Sequence, residues 1–422
     1  MFSTQNSALV SHSDGMFTRY SASTNCTNGD LKSDLIAFLS IVQQWDVDFL
    51  PISWQPSLGN LGQGGSGVIS QSTIITGLPL AFKRFHDSED CEPDFLPLIS
   101  EVLILSQPPI RDHPNTVNLK GICWEIKRRT EHAIPVLVFE KAAWDLHQFM
   151  KVREGMNMSA EERLKICVDI GSAIVVLHAN GLWFWIILPC QKPNTYTGVI
   201  HGDIKPQNVL VFKDDTGKTT IRVADFGYST LATGEEASIL LPKSKPWNAP
   251  EHHFGVFTLA EAKKADVYSF GRLCLWALCG GTHDPPSGTE CMTEVASFDP
   301  STEFRPSFEE LKDDEVEHFA YQFVESMQLA GLNDQQRCRL KEFFKLTLEP
   351  NPEKRTADVG KLMVLLSPER WELTKMATTG HSVTSLELRC NPLLYHFRQR
   401  RNSQCVLIFE WVLIKLHTFT NN

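Results

Sequence analysis

From residue 54 to about 139 the apolar positions fall in short runs broken by turn residues, the spacing of strands. The clearest runs are 79–85 and 136–139. Residues 95–106 instead carry apolar side chains at helical spacing, and Pro108-Pro109 closes that stretch. Beyond Asp145 the period becomes helical. Ser159-Ala160-Glu161-Glu162 reads as a capping box, with Ser159 as N-cap and Glu162 reaching back to it. The helix it opens bears Leu164, Cys167, Val168, Gly171, Ile174, Val175 and His178, and Gly181 can close it. Further helices are predicted over 265–279, 315–329, 335–348 and 357–366. The pattern predicts an α+β chain without internal repeats, a small β-rich lobe leading into a larger α-rich lobe.

Composition narrows the classes. At 422 residues, 42% apolar and 21% charged, the chain can bury a sizeable core and is neither fibrous nor wholly disordered. A net charge of −10 makes it a poor general nucleic-acid binder, because such binding rests on neutralising phosphates. The 11 cysteines include no C-x-x-C pair, against both a disulfide framework and a zinc ribbon. The N-terminus has no basic segment followed by an apolar one, and no run reaches the roughly 18 apolar residues of a membrane helix. The expectation is a soluble intracellular, cytoplasmic protein with no transmembrane segment and no nucleic-acid partner. Residues 1–30 hold 13 Ser, Thr or Asn and read as a solvated tail within an N-terminal extension over 1–50.

Three segments carry chemistry. In Leu61-Gly62-Gln63-Gly64-Gly65-Ser66-Gly67-Val68 the glycines let backbone N–H groups approach phosphates. A dinucleotide fold would need a helix directly afterwards, whereas 70–75 reads as strand with Lys83 on the next one, so a phosphate-covering hairpin is expected. In His201-Gly202-Asp203-Ile204-Lys205-Pro206-Gln207-Asn208, an Asp followed five residues later by an Asn can set a proton acceptor and a metal ligand on one loop. In Asp225-Phe226-Gly227, a carboxylate at a strand end precedes an apolar anchor and a Gly hinge, which suits a magnesium ligand. Each motif alone is weak, and a lone loop Asp is more often a turn residue. Their order and distances make chance a poor explanation.

With these segments in sequence, the chain resembles the eukaryotic protein kinase family, serine/threonine type, from about Trp54 to Leu366. The resemblance implies a bilobal α+β fold, an N-lobe over 54–140, a C-lobe over 141–367 and a C-terminal extension over 368–422. It implies ATP and Mg2+ as cosubstrate and metal, and protein Ser/Thr hydroxyls as acceptors. Gly62, Gly64, Gly65, Gly67 and Val68 match the nucleotide-covering loop, Ala81 the residue over adenine, and Lys83 the lysine that holds the α- and β-phosphates. Glu101 is the best match for the lysine's helix partner; Glu89 and Glu92 are nearer, but Glu92 precedes Pro93. Glu140 to Ala142 match the adenine-binding hinge, with Phe139 as gatekeeper. Asp203 is implied as catalytic base, Lys205 as the charge neutralising the γ-phosphate, and Asn208 and Asp225 as metal ligands. Ala249-Pro250-Glu251 matches the end of the activation segment, the stretch from Asp266 to Gly271 the central large-lobe helix, and Arg355 the partner of Glu251.

The chain departs from that pattern twice. Gly202 stands where most members have an arginine that contacts an activation-loop phosphate, so phosphorylation of Ser229, Thr230, Thr233 or Ser238 is not expected to switch it through that contact. A His-Gly-Asp triplet also occurs in small-molecule phosphotransferases, which lack the Ala-Pro-Glu segment and the Glu–Arg match present here. The second departure is 182–198, 17 residues beginning with seven apolar ones, placed between Gly181 and Val199. It reads as a translated intron of 51 nucleotides or as a partner-docking insertion. If the insertion displaces the loop that follows, the alternative function is an inactive pseudokinase scaffold. His113-Pro114-Asn115 reads as a structural turn, and His86, His252 and His253 lack metal-ligand partners at convincing spacing.

Overall fold

The computed structural model describes residues 35–54, 60–64, 67–73, 79–84, 95–126, 133–180, 197–233, 238–281, 311–326 and 332–367. The tail over 1–30, residues 182–196 of the inserted segment, Gly65, His86, Glu89, Glu92 and the C-terminal extension lie outside them. In chain order the first elements are α1 (Leu35–Gln44), β1 (Phe49–Trp54), β2 (Asn60–Gly64), β3 (Gly67–Thr73), β4 (Pro79–Arg84), α2 (Leu96–Ser106), α3 (Pro108–Arg111), β5 (Leu119–Ile126) and β6 (Ala133–Glu140). They are followed by β7 (Trp144–Asp145), α4 (Leu146–Phe149), α5 (Arg153–Met156), α6 (Ala160–Ala179), β8 (Thr197–Ile200), β9 (Val209–Lys213), β10 (Thr219–Val223) and β11 (Thr230–Thr233). The last helices are α7 (Leu259–Leu278), α8 (Asp313–Ser326), α9 (Asp334–Thr347) and α10 (Val359–Leu366). The fold is α+β. Its described residues fall into two compact units, the first drawn from 1–142, 177–204 and 224–266, the second from 143–176, 205–223 and 267–422.

The first unit is built on a six-stranded sheet in the order β1-β5-β6-β4-β3-β2. Strand alternation sorts its residues by face. Phe82, Cys123, Val136 and Val138 form an apolar cluster with Leu50, Ile52 and Leu80 packed against it. Ala81 and Lys83 therefore point to the opposite face. The β2–β3 hairpin pairs Gly64 with Gly67 and Gln63 with Val68, and β3 then pairs with β4. A strand follows the glycine-rich run where a dinucleotide site would have a helix. Elements of this unit that the pattern did not predict include α1, a β1 that begins at Phe49 and runs parallel to β5, the short α3 and the β8–β11 pair.

The second unit is mainly helical. Glu162 accepts from the Ser159 backbone N–H at 2.8 Å, and the Glu162 N–H donates to Ser159 Oγ at 3.2 Å, so the expected capping box opens α6. Helix α7 starts six residues before the predicted 265, because Thr258 and Glu261 form a second capping box upstream. Within this unit the small residues on α6 and α7 mark close packing. A Cβ on Gly271 would fall 2.5 Å from Thr347 Oγ1 and 2.6 Å from Thr347 Cβ. A three-stranded sheet, β10-β9-β7, lies beside the short helix α4. Among the described residues no helix is long and apolar enough to cross a membrane.

The residues that flank the inserted segment are held at fixed points. Asp266 accepts from His178 Nε2 at 3.0 Å on one flank and from the His201 backbone N–H at 2.9 Å on the other. Gly198 fits closely there: a Cβ would lie 2.9 Å from Lys263 Cε and 3.1 Å from the His178 carbonyl oxygen. Removing 182–198 brings Gly181 into that place in sequence. The shortened chain is therefore expected to fold with a thermal midpoint within a few degrees of the full chain. The same deletion carrying Gly181→Leu should unfold earlier. Equal midpoints for the two deletions would contradict this account. In the helical unit, Gly271→Ala should cost about 1–3 kcal/mol in urea unfolding through overpacking against Thr347.

Candidate active site

The sequence of β4 places Lys83 on the sheet face away from the apolar cluster, where a cation in a buried position needs a partner. It has two. Lys83 Nζ donates to Glu101 Oε2 at 2.6 Å and to Asp225 Oδ1 at 2.7 Å. Glu101 comes from α2, as expected from the match, and is 1% exposed. Burial pushes the Lys83 ammonium toward neutrality, but the charges of Asp225 and Glu101 outweigh it and hold the ammonium above the ordinary lysine range. The lysine is a fixed cation.

Asp225 stands at the end of the segment from β10 with φ +66°, a left-handed backbone rarely adopted by non-glycine residues. Its neighbours hold it. The Phe226 backbone N–H donates to the Glu101 carboxylate, and the buried Phe226 ring lies 5.3 Å from the His201 ring. His201 Nε2 donates to the Ala224 carbonyl at 3.1 Å, and the Ser229 hydroxyl donates to the His201 carbonyl at 3.0 Å. The Asp-Phe-Gly turn and the His201 loop thus close on one another.

Asp203 is buried on that loop, and its backbone N–H faces His201 Nδ1 at 3.3 Å. The phenol of half-buried Tyr228 is pushed up by burial first and then by the charges of Asp225 and Asp203, so both carboxylates act on one ring. The loop is anchored by Asp266, whose carboxylate accepts from the backbone N–H groups of His201 and of Gly202, the latter at 2.8 Å. Asp266 belonged to a matched motif, but its anchoring role had no sequence signal. Gly202 has φ +79°, and a Cβ there would meet Leu241 Cδ2 at 3.2 Å. The activation segment therefore covers the ground that an arginine side chain would leave from. Of the candidate phosphorylation positions, Ser229 is buried, Thr230 and Thr233 sit in β11 paired with β8, and Ser238 is exposed. Ile239 bridges Phe257, and together with Ile200, Leu259 and Ala262 they form an apolar cluster with Leu241 against it.

Other matched positions fall as follows. Ala81 pairs with buried Phe139 across β4 and β6, Leu80 pairs with Glu140, and the Lys141 N–H donates to the Pro79 carbonyl at 3.0 Å, with Ala142 next. Gly62, Gly64, Gly67 and Val68 lie in the β2–β3 hairpin. Lys205 and Asn208 belong to the second unit, where Pro206–Asn208 is a turn of 3-10 helix and the Asn208 N–H donates to the Lys205 carbonyl at 3.0 Å. Asn208 is buried. Glu251 is buried in the first unit, and Arg355 is buried in the second. There the Arg355 guanidinium donates to the Glu349 carbonyl at 2.8 Å and lies 4.8 Å over the Tyr268 ring. His252 and His253 each bond a backbone carbonyl, and the Asn115 N–H closes on His113 Nδ1. Among the described residues no cluster of three or more His, Cys, Asp or Glu could hold a metal ion.

Comparison with known proteins identifies the family. The family model described as protein kinase domain matches residues 56–358. The chain is similar to the leaf rust 10 disease-resistance locus receptor-like protein kinase-like 2.1 of Arabidopsis thaliana, with 30% identity over 51% of this chain and 30% of that protein. It is similar to wall-associated receptor kinase 1 of the same plant, with 32% identity over 52% of this chain and 26% of that protein. A probable serine/threonine-protein kinase of Dictyostelium discoideum is 28% identical over 52% of this chain and 37% of that protein. The matched segments thus span about a third of these relatives' own lengths. With the family's model matching residues 56–358, most of its length, the chain belongs to the protein kinase family.

Proposed function

We infer that the chain transfers the γ-phosphoryl group of ATP to Ser or Thr hydroxyls of protein substrates. The observation that carries this reading is the Lys83 ammonium, bonded to Glu101 at 2.6 Å and Asp225 at 2.7 Å and kept charged. A fixed cation of this kind holds phosphate oxygens. The glycine hairpin over Gly62, Gly64, Gly65, Gly67 and Val68 covers the phosphates, and backbone groups of Glu140 and Ala142 take the adenine beside Ala81. Asp203 orients the acceptor hydroxyl and takes its proton as the oxygen attacks. Lys205 offsets the charge that builds on the transferred group. Lys205, two residues after the Asp, is the basis for assigning Ser/Thr acceptors.

Asp225 keeps a partly exposed carboxylate, 21% by side chain, and Asn208 adds an amide oxygen. These are the hard oxygen donors Mg2+ takes when phosphates supply the rest of its shell, so the residues present fit that ion. Bound Mg2+ would neutralise phosphate charge during transfer. An inactive scaffold is the weaker reading. It needs the inserted segment to displace the His201–Asp203 loop, and Asp266 holds that loop by two backbone hydrogen bonds.

Transfer of labelled phosphate from Mg-ATP to a generic Ser/Thr acceptor tests the reading. Asp203→Asn should lower kcat by about 10²–10⁴-fold, the range for removing a general base. An Asp203→Asn chain as active as the parent would overturn the assignment. Phosphatase treatment should leave the rate within about twofold, because no charged contact at position 202 awaits a phosphate. Gly202→Arg should lower both activity and stability, by about 1–3 kcal/mol for the latter, since φ +79° and Leu241 both oppose a side chain there. Rescue of a phosphatase-inactivated chain by rephosphorylation would contradict the second expectation.

A further inference from the structure

The family match begins at residue 56, but ordered structure begins earlier. Upstream of the match, α1 buries Phe38, Ile41 and Val42 at helical spacing. The Val47 N–H donates back to the Val42 carbonyl at 3.0 Å, which turns the chain into β1. This α1–β1 element is fastened at two places. On the sheet side the Ile122 N–H donates to the Asp48 carbonyl at 2.9 Å, and Phe49 stacks on Trp124 with centroids 5.6 Å apart. Gly121, at φ +151°, permits that approach: a Cβ there would fall 2.7 Å from the Asp48 carbonyl oxygen and 2.9 Å from Leu50 Cγ. On the other side α1 packs on α2, where the Phe38 ring lies 6.2 Å from the Phe95 ring.

Phe95 is the residue on which α2 starts. It holds the N-cap position, and its carbonyl accepts the Ile99 N–H at 2.9 Å. Yet α2 has no side-chain cap hydrogen bond and no acidic residue in its first turn. A side-chain cap is worth about 1 kcal/mol, and the local device present in its place is Pro97 in the first turn. The packing of Phe95 against Phe38 adds a tertiary constraint on that start. Glu101 lies six residues further along the same helix, and its 2.6 Å bond to Lys83 leaves little room for α2 to slide or turn. We propose that α1, through Phe38, positions α2 so that Glu101 meets Lys83, and thereby sets the rate of phosphoryl transfer. Phe38 touches no reacting group. It acts through Glu101, so the proposal rests on the kinase reading of the Lys83–Glu101 pair.

A double-mutant cycle separates positioning from general support. In the full chain, Phe38→Ala should lower kcat about tenfold, in keeping with the cost of small misplacements, while KM for the acceptor stays within about twofold. Phe38→Leu, which keeps most of the volume, should recover kcat to within about twofold. In a Glu101→Gln background Phe38→Ala should change kcat by less than about twofold, because the group it positions has already lost its charge. An equal loss in both backgrounds, or no loss in either, overturns the proposal. If Phe38→Ala does not fold, Val42→Ala takes its place in the cycle. Amide exchange of residues 102–105 in nucleotide-free protein gives a readout independent of activity: about tenfold faster exchange in Phe38→Ala supports positioning, and unchanged exchange overturns it. A parent chain that transfers no phosphate would sink the kinase reading, and the exchange measurement would still decide whether α1 positions α2.

Discussion

The ammonium of Lys83, buried between two carboxylates, is the constraint on which the rest of the first unit depends. A charge removed from water costs several kcal/mol unless it is paired and hydrogen-bonded, and removing one partner of such a pair costs about 3–5 kcal/mol. The partners come from separate parts of the sequence, Glu101 from 18 residues downstream and Asp225 from 142. One buried cation therefore sets the strand β4, the helix α2 and the Asp-Phe-Gly turn in mutual register. The same interaction that satisfies a desolvated charge leaves the sheet face with a cation whose protonation does not vary near neutral pH.

Asp266 is the second node, and it works on the backbone. Its two carboxylate oxygens accept from His178 and from the N–H groups of His201 and Gly202. A carboxylate that takes several N–H donors is held strongly, so the start of the His201 loop is fixed from outside the loop. The start of the loop that follows the inserted segment is therefore set by contacts outside that segment. The same contacts explain the glycine at 202: the N–H that Asp266 binds is presented by a left-handed backbone, with Leu241 lying close over the same spot. Leu241, which lies against a Cβ at position 202, packs in turn on the apolar cluster of Ile200, Ile239, Phe257, Leu259 and Ala262.

Much of this was legible in the sequence, for reasons tied to particular residues. The hairpin from Gly62 to Val68 was readable because glycines and a following strand pattern exclude a helix there. Ser159 and Glu162 announced α6 because a capping box needs only two residues at fixed spacing. Thr258 and Glu261 carry the same signature, and the apolar run after 265 masked it, which shifted the start of α7. Helix α1 was hidden for a different reason. Phe38, Ile41 and Val42 do have helical spacing, but they follow a Ser/Thr/Asn-rich stretch, and ten residues carry weak periodicity. The work of Asp266 left no trace at all. It accepts from backbone donors 64 and 65 residues away, and a backbone N–H has no letter in the sequence.

The two nodes are joined by direct contacts within one unit. Phe38 meets Phe95 at the start of α2, Glu101 of α2 meets Lys83, and Lys83 meets Asp225. Ala224 and Phe226, on either side of Asp225, meet His201, whose N–H is held by Asp266. Every link is either a hydrogen bond near 3 Å or a ring pair about 5–6 Å apart, and none passes through a residue free to choose another rotamer without losing its partner. A disturbance at α1 thus reaches Glu101 through a helix, and reaches Asp225 through the Lys83 ammonium and through Phe226. Neutralising Glu101 weakens that route without removing a contact that α1, β1 or the Asp266 anchor makes elsewhere. The apolar contacts upstream of the family match and the polar contacts inside it are therefore separable, and Glu101 is the residue at which they meet.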